Sequence, residues 1–241
     1  MTSSPAARFY KEAAASKDER EPGGFTVTLD GRPVKTPGGQ PLRLPTLALA
    51  EAIAAEWAGQ GEKILPATMP EMQLACTAID RVGPHRAAVV DETSGYGGSD
   101  LLCYRTEEPQ DLVDLQAAEW QPVLDWLAHD IGAKLSVTAG IVHVAQSDVA
   151  LAALKDAVGG LDDFELTALT QITQVCGSLS LGLAVERGNL EWQRAVKLSV
   201  LDETYQAEKW GDDKEAIDRR RAMTAEVEAA ARFLRLVRDI M

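Results

Sequence analysis

Apolar residues recur along Leu190 to Asp213 at helical spacing, and they do so on two faces at once. Leu198, Leu201 and Tyr205 make one stripe; Trp192, Val196, Ser199, Glu203, Gln206 and Trp210 make the other. A surface helix usually buries a single stripe. Two stripes therefore predict a helix over 190–210 packed on two sides, with Gly211 as its stop. Glu203 and Gln206 interrupt the tryptophan-bearing stripe, where an unpaired carboxylate is costly to bury. Two interpretations stay open. Glu203 is solvated or hydrogen-bonded on a core helix, or Glu203, Gln206 and Trp210 line a groove where a partner docks.

Upstream, Phe25 to Thr36 alternates apolar and polar positions around Asp30-Gly31, a hairpin signal because both central residues must accept positive φ. Gln40 to Leu44 adds a candidate edge strand containing Pro41. Thr46 caps a helix ending near Trp57 and Ala58. Further helices are predicted over Glu71–Val82 and from Pro84 to Thr93, the latter with proline in its first turn. Ser94 to Asp100 reads as a glycine-rich connector and Leu101 to Arg105 as a short buried strand. From Pro109 the periodicity turns helical: Leu112–Ile131, then about 147–158, 162–178, 179–187, 190–210 and 214–240, with a short extended excursion within Lys134–Val144. The fold class is α+β: a small N-terminal domain (1–106) of antiparallel sheet and helices, followed by an all-helical C-terminal domain (107–241).

Composition narrows the function classes. The net charge of −13 argues against a sequence-independent nucleic-acid binder. That charge is concentrated in residues 107–191, which carry 3 Lys+Arg against 14 Asp+Glu and favour basic partners. Cys76, Cys103 and Cys176 are widely spaced and form no CxxC pair, so free thiols and a reducing compartment are expected. The N-terminal stretch lacks the apolar core of a secretory signal, and a cytoplasmic protein is expected. Leu166 to Val185 has no charge over 20 residues, a membrane-spanning length. Its threonines, glutamines and serines, with leucines at helical spacing, instead predict a buried helix of a bundle and no stable membrane insertion.

Catalytic signatures are absent from the pattern. His85, His129 and His143 lie at no metal-ligand spacing, and no metal or cofactor is expected. Gly177-Ser178-Leu179-Ser180 is not a nucleophile elbow. Asp91-Glu92, Asp162-Asp163 and Asp212-Asp213 are helix neighbours that point about 100° apart, unlike a working acid/base pair. Residues 214–240 are amphipathic and arginine-rich, suiting either packing on the 190–210 helix or a membrane surface.

Several separated motifs in one order carry a resemblance. They are GGFTVTLDGRPVKTP (23–37), Pro41-Leu42 with LALAEAIAAEW ending at Trp57, MPEMQLACTAID (69–80), DLLCYR (100–105), the pair Trp120 and Trp126, and DETYQAEKWG (202–211). From Arg8 to Asp213 the chain resembles the ATP-twelve family, assembly chaperones that hold the α subunit of the ATP synthase catalytic sector before it joins β. The tail after Asp213 matches least. The resemblance implies a chaperone rather than an enzyme, with no nucleotide of its own, monomeric when free, its partner the α subunit. It places the chain in a bacterial cytoplasm, or the mitochondrial matrix for organellar relatives, whose targeting segment this chain lacks. It also singles out Trp57, as a structural or an interfacial residue, and a C-terminal acid at Glu203 or Glu208. With Gln206 and Trp210 these are the candidate partner-binding residues. Two rivals remain: a small-molecule enzyme using Asp100, Cys103 or Glu203 in an interdomain cleft, and a peripheral membrane adaptor using residues 214–240.

Overall fold

The structure, a computed structural model, describes residues 6–19, 23–140 and 142–239. By contact it divides into two compact units. Unit 1 comprises 1–86, 162–168 and 232–241, and unit 2 comprises 87–161 and 169–231.

In unit 1, β1 (Ala13–Lys17), β2 (Phe25–Leu29) and β3 (Arg32–Pro33) form an antiparallel sheet in that order. Its register pairs Ala13 with Leu29, Lys17 with Phe25 and Thr28 with Pro33. Asp30 and Gly31 turn the β2–β3 hairpin at φ 48° and 77°. That left-handed pair matches the strand twist. The Asp30 carboxylate also accepts the N–H of Lys11 (3.1 Å) and Glu12 (2.9 Å), tying the turn to the start of β1. The AAASK sequence of β1 has no alternation and weak strand propensity, so pairing with β2 makes it a strand. The expected strand over Gln40–Leu44 reduces to two isolated bridges, Lys35 with Pro41 and Phe25 with Leu44. Pro41 has no N–H to extend the ladder.

Helix α1 (Leu47–Ala58) packs across β1 and β2. Thr46 caps it by accepting Leu49 N–H, and its hydroxyl donates to the Leu236 carbonyl at 2.6 Å. Leu49, Ala50, Ile53 and Ala54 join Val27, Leu29, Leu42, Leu44 and Phe233 in the core. Helix α2 (Pro70–Thr77) follows and widens into a π turn over Ala78–Val82. In that turn Asp80 accepts from Thr36 Oγ1 (2.6 Å) and Gly38 N–H (2.8 Å), and a side chain at Gly38 would collide with this carboxylate. A 3-10 turn over Gly83–His85 then leads into α3 (Arg86–Gly95).

The α1–α2 junction is held by a buried carboxylate pair. Glu56 accepts the N–H of Glu71 (2.8 Å) and Met72 (2.9 Å), two otherwise unpaired donors of the first turn of α2. Glu71 is 1% exposed and meets Arg232 at 2.9 Å. Burial pushes the Glu56 carboxyl up to about 8, and the neighbouring Glu71 carboxyl adds to the shift. Both effects favour the protonated acid over the carboxylate.

In unit 2, the expected glycine-rich connector is a packed 3-10 turn, Tyr96–Ser99. A side chain at Gly97 would run into Leu154, so glycine serves close approach rather than mobility. Leu101–Cys103 is also 3-10, and only Tyr104–Arg105 extends, as β4, in a two-residue parallel pair with β5 (Thr138–Ala139). Helix α4 (Gln110–Trp126) ends in a π turn over Leu127–Ile131, stopped by Gly132 at φ 77°. Helices α5 (Asp148–Gly159), α6 (Asp163–Cys176) and α7 (Leu179–Glu186) follow. The uncharged run Leu166–Val185 is broken between α6 and α7 at Gly177, φ 65°. Among the described residues no helix is long and apolar enough to cross a membrane.

The helix expected over 190–210 is two helices, α8 (Trp192–Ser199) and α9 (Leu201–Trp210), parted at Val200 (φ −110°, ψ 21°). The fully buried Trp120 donates its indole N–H to the Leu198 carbonyl at 3.0 Å. In an unbroken helix that carbonyl would accept Asp202 N–H. Ser199 Oγ likewise takes the Val196 carbonyl at 2.8 Å, a side-chain competitor of the helix ladder. Helix α10 (Lys214–Val237) closes the chain. Ile240, which extends its apolar stripe in sequence, lies outside the described residues.

A Glu56 carboxyl raised above its ordinary 4.5 stabilises the fold fully below about 4.5, and that contribution is lost as pH rises towards about 8. The melting temperature of the native chain should fall between those limits and level off above them. The corresponding loss of stability should be on the order of 1–3 kcal/mol after allowing for partial exposure. Glu56→Gln should start lower, because an amide cannot accept both backbone N–H groups, yet its profile should lose this slope. A mutant profile as steep as the native one places the proton elsewhere.

Candidate functional site

Trp57 sits on the last turn of α1 in unit 1, half-buried against the core. Its ring meets Tyr10 edge-to-face (centroids 5.5 Å apart), and Tyr10 Oη donates to the Trp57 carbonyl at 2.6 Å. Phe9 in turn packs edge-to-face on Tyr10, at 5.4 Å, and stays 73% exposed. These three aromatic residues line a groove of about 580 Å³ with Leu29, Val34 and the exposed hairpin residues Asp30, Arg32, Pro33 and Lys35. The Arg8 guanidinium lies 4.7 Å over the Tyr10 ring, and its N–H groups are spent on the carbonyls of Tyr10, Lys11 and Gln60. The Trp57 indole N–H is buried and has no acceptor among the described residues.

The other four candidates belong to unit 2. The stripe that begins buried at Val196 emerges along α9: Glu203 is half-buried, Gln206 and Glu208 are exposed, and Trp210 is 76% exposed. Glu203 is not a bare buried acid. Arg219 reaches it at 2.5 Å and Arg220 at 3.8 Å, both from α10. The opposite stripe, Leu198, Leu201 and Tyr205, is buried. Tyr205 Oη donates to Asp111 at 2.6 Å, and Lys209 bonds the second Asp111 oxygen at 2.7 Å. Lys209 first, then the Tyr205 hydroxyl, holds the Asp111 carboxyl below its usual range. The stripe thus ends as a large apolar side chain standing among fixed charges.

The residues that suggested catalysis are structural. Asp100 is fully buried. Oδ1 accepts Leu102 N–H and Ser178 Oγ–H, and Oδ2 accepts the N–H and hydroxyl of Ser180, all between 2.8 and 3.1 Å. The carboxyl anchors the start of α7, leaving no approach for a substrate. Cys103 is buried, and burial pushes its thiol up to about 12, far from nucleophilic thiolate. His143 bonds Tyr104 and His129 bonds Asp130. Trp120 is core, while Trp126 edges a shallow polar hollow with His129 and Arg187. The groove around Phe9 is the feature that sequence reasoning missed. Its signal was the Phe9-Tyr10 pair in an otherwise polar start.

Residues 7–128 match the family model described as ATP12 chaperone protein, half of the chain. The chain belongs to the ATP12 chaperone family. Relatives agree along almost its whole length. Atp12 of Paracoccus denitrificans is 45% identical with a TM-score of 0.92, covering 96% of this chain and 98% of its own. The Atu1473 protein of Agrobacterium tumefaciens is 38% identical with a TM-score of 0.90, covering 95% and 85%. Mitochondrial atp12 of Schizosaccharomyces pombe is 26% identical over 226 residues, 87% of this chain and 75% of the relative. An ATP12 chaperone thus presents two exposed aromatic features, one on each compact unit.

Two variants separate packing from surface in this ATP12 chain. Asp100→Ala strands buried hydroxyl and N–H donors and should cost about 3–5 kcal/mol, read as a lowered denaturation midpoint. Trp57→Arg should cost about 2–4 kcal/mol, part of a core tryptophan's value, because the ring is only half-buried. A Trp57→Arg midpoint equal to the native one would make Trp57 a surface group only.

Proposed function

We propose that this chain binds the unassembled α subunit of the ATP synthase catalytic sector, covers its β-facing apolar surface, and releases it during assembly. Family membership supports the chaperone role. The observation that carries the binding role is Trp210, a large apolar side chain 76% exposed on the stripe with Glu203 and Gln206. Exposed aromatics dominate binding energy at protein interfaces. An unassembled subunit exposes apolar surface that drives aggregation unless covered. The partner-binding set is Trp57, Glu203, Gln206, Glu208 and Trp210. The acidic block 107–191 keeps the complex in solution and steers encounter with basic patches.

The rivals lose their footing on specific contacts. Asp100 and Cys103 are sealed in, and Glu203 is tied to Arg219. The apolar stripe of α10 is buried at Val227, Ala230, Phe233, Leu234 and Val237, which supports packing over a membrane surface.

The test is co-purification of the chain with unassembled α and, separately, unassembled β, alongside light scattering of α alone. Retention of α and suppression of its aggregation is expected; retention of β alone, or of neither, rejects the proposal. Trp210→Ala should weaken α binding about tenfold or more while the melting temperature stays within about 1–2 °C of native. Unchanged affinity would remove Trp210 from the interface.

A further inference from the structure

The groove around Phe9 differs in chemistry from the acidic chain that carries it. Its floor is apolar, made by Tyr10, Leu29, Val34 and Trp57, and Phe9 forms an exposed wall. Its rim carries the cations Arg32 and Lys35, both exposed and neither in an ion pair among the described residues. The one acid of the lining, Asp30, accepts the backbone N–H groups of Glu12 and Lys11, which hold its carboxyl below the usual range, and the nearby Lys11 and Arg32 charges add to that; against two cations it leaves the rim net positive. In a chain of net charge −13 this is a local basic rim over an apolar slot.

We infer that this groove takes an extended segment of the α subunit in which one aromatic or long aliphatic side chain is flanked by an acidic residue. The apolar side chain fills the slot against Phe9 and Trp57, and the carboxylate meets Arg32 and Lys35. The groove's volume of about 580 Å³ suits a single anchoring side chain with its neighbours. Two cations beside an apolar floor are too few for a phosphate track, so a polypeptide is the fitting occupant. This inference rests on the function proposed above and specifies how unit 1 takes part in it.

The experiment measures affinity for purified unassembled α by calorimetry at two salt concentrations. It uses the full native chain, Phe9→Ala, the charge reversal Arg32→Glu/Lys35→Glu, and the conservative Lys35→Arg. The exposed positions should leave the melting temperature unchanged. Phe9→Ala and the charge reversal should each weaken α binding about tenfold or more, while Lys35→Arg binds as native. The charge reversal should also flatten the salt dependence. Native affinity in Phe9→Ala and the charge reversal, with α still bound, overturns the groove assignment and leaves the proposed function standing. Failure of the native chain to bind α overturns both. A dimer of the free chain in sedimentation that Phe9→Ala abolishes assigns the groove to a second copy instead.

Discussion

Unit 1 depends on one turn of helix. At the end of α1, Glu56 holds the first two N–H groups of α2, while the neighbouring Trp57 gives its carbonyl to Tyr10. Adjacent helical residues point about 100° apart, so this turn fastens to two different neighbours at once. One side fixes α2 and, through Glu71, Arg232 of α10. The other fixes Tyr10 and with it the wall of the groove. The cost is two carboxyl groups held close together, Glu71 buried and Glu56 half-buried, and it shows as a Glu56 carboxyl pushed above its usual range.

Unit 2 has a comparable constraint in Trp120. A single indole N–H takes a carbonyl from the helix ladder, and a helix that the apolar pattern would continue is cut at Val200. The break lets Leu201 and Tyr205 bury while the tryptophan-bearing stripe rises to the surface at Trp210.

A holding chaperone needs apolar groups that face water without collapsing inward or aggregating. Each unit carries an exposed aromatic side chain with charged residues close by. Trp210 stands beside Lys209 and Asp212, and Phe9 stands near Arg32 and Lys35. Charged neighbours keep such patches small and hydrated until a partner covers them. The buried polar groups serve the scaffold instead: Asp100 with Ser178 and Ser180, and Asp80 with Thr36 and Gly38.

Local chemistry made much of the fold legible in the chain itself. The Asp30-Gly31 hairpin, the Thr46 cap, the positions of most helices and the double stripe are consequences of φ preference, capping and periodicity, which act over a few residues. Trp57 and Trp210 were also identifiable there as candidate partner-binding residues. Tertiary contacts decided the rest. β1 exists because β2 supplies its hydrogen bonds, the glycine-rich turn is rigid because Leu154 packs on Gly97, and α8 parts from α9 because Trp120 reaches Leu198. The groove likewise needs Phe9, Arg32 and Trp57 brought together across wide gaps in sequence. Periodicity records which side of a helix is apolar, but not which distant atom will claim one of its carbonyls, and that is settled only when the chain closes on itself.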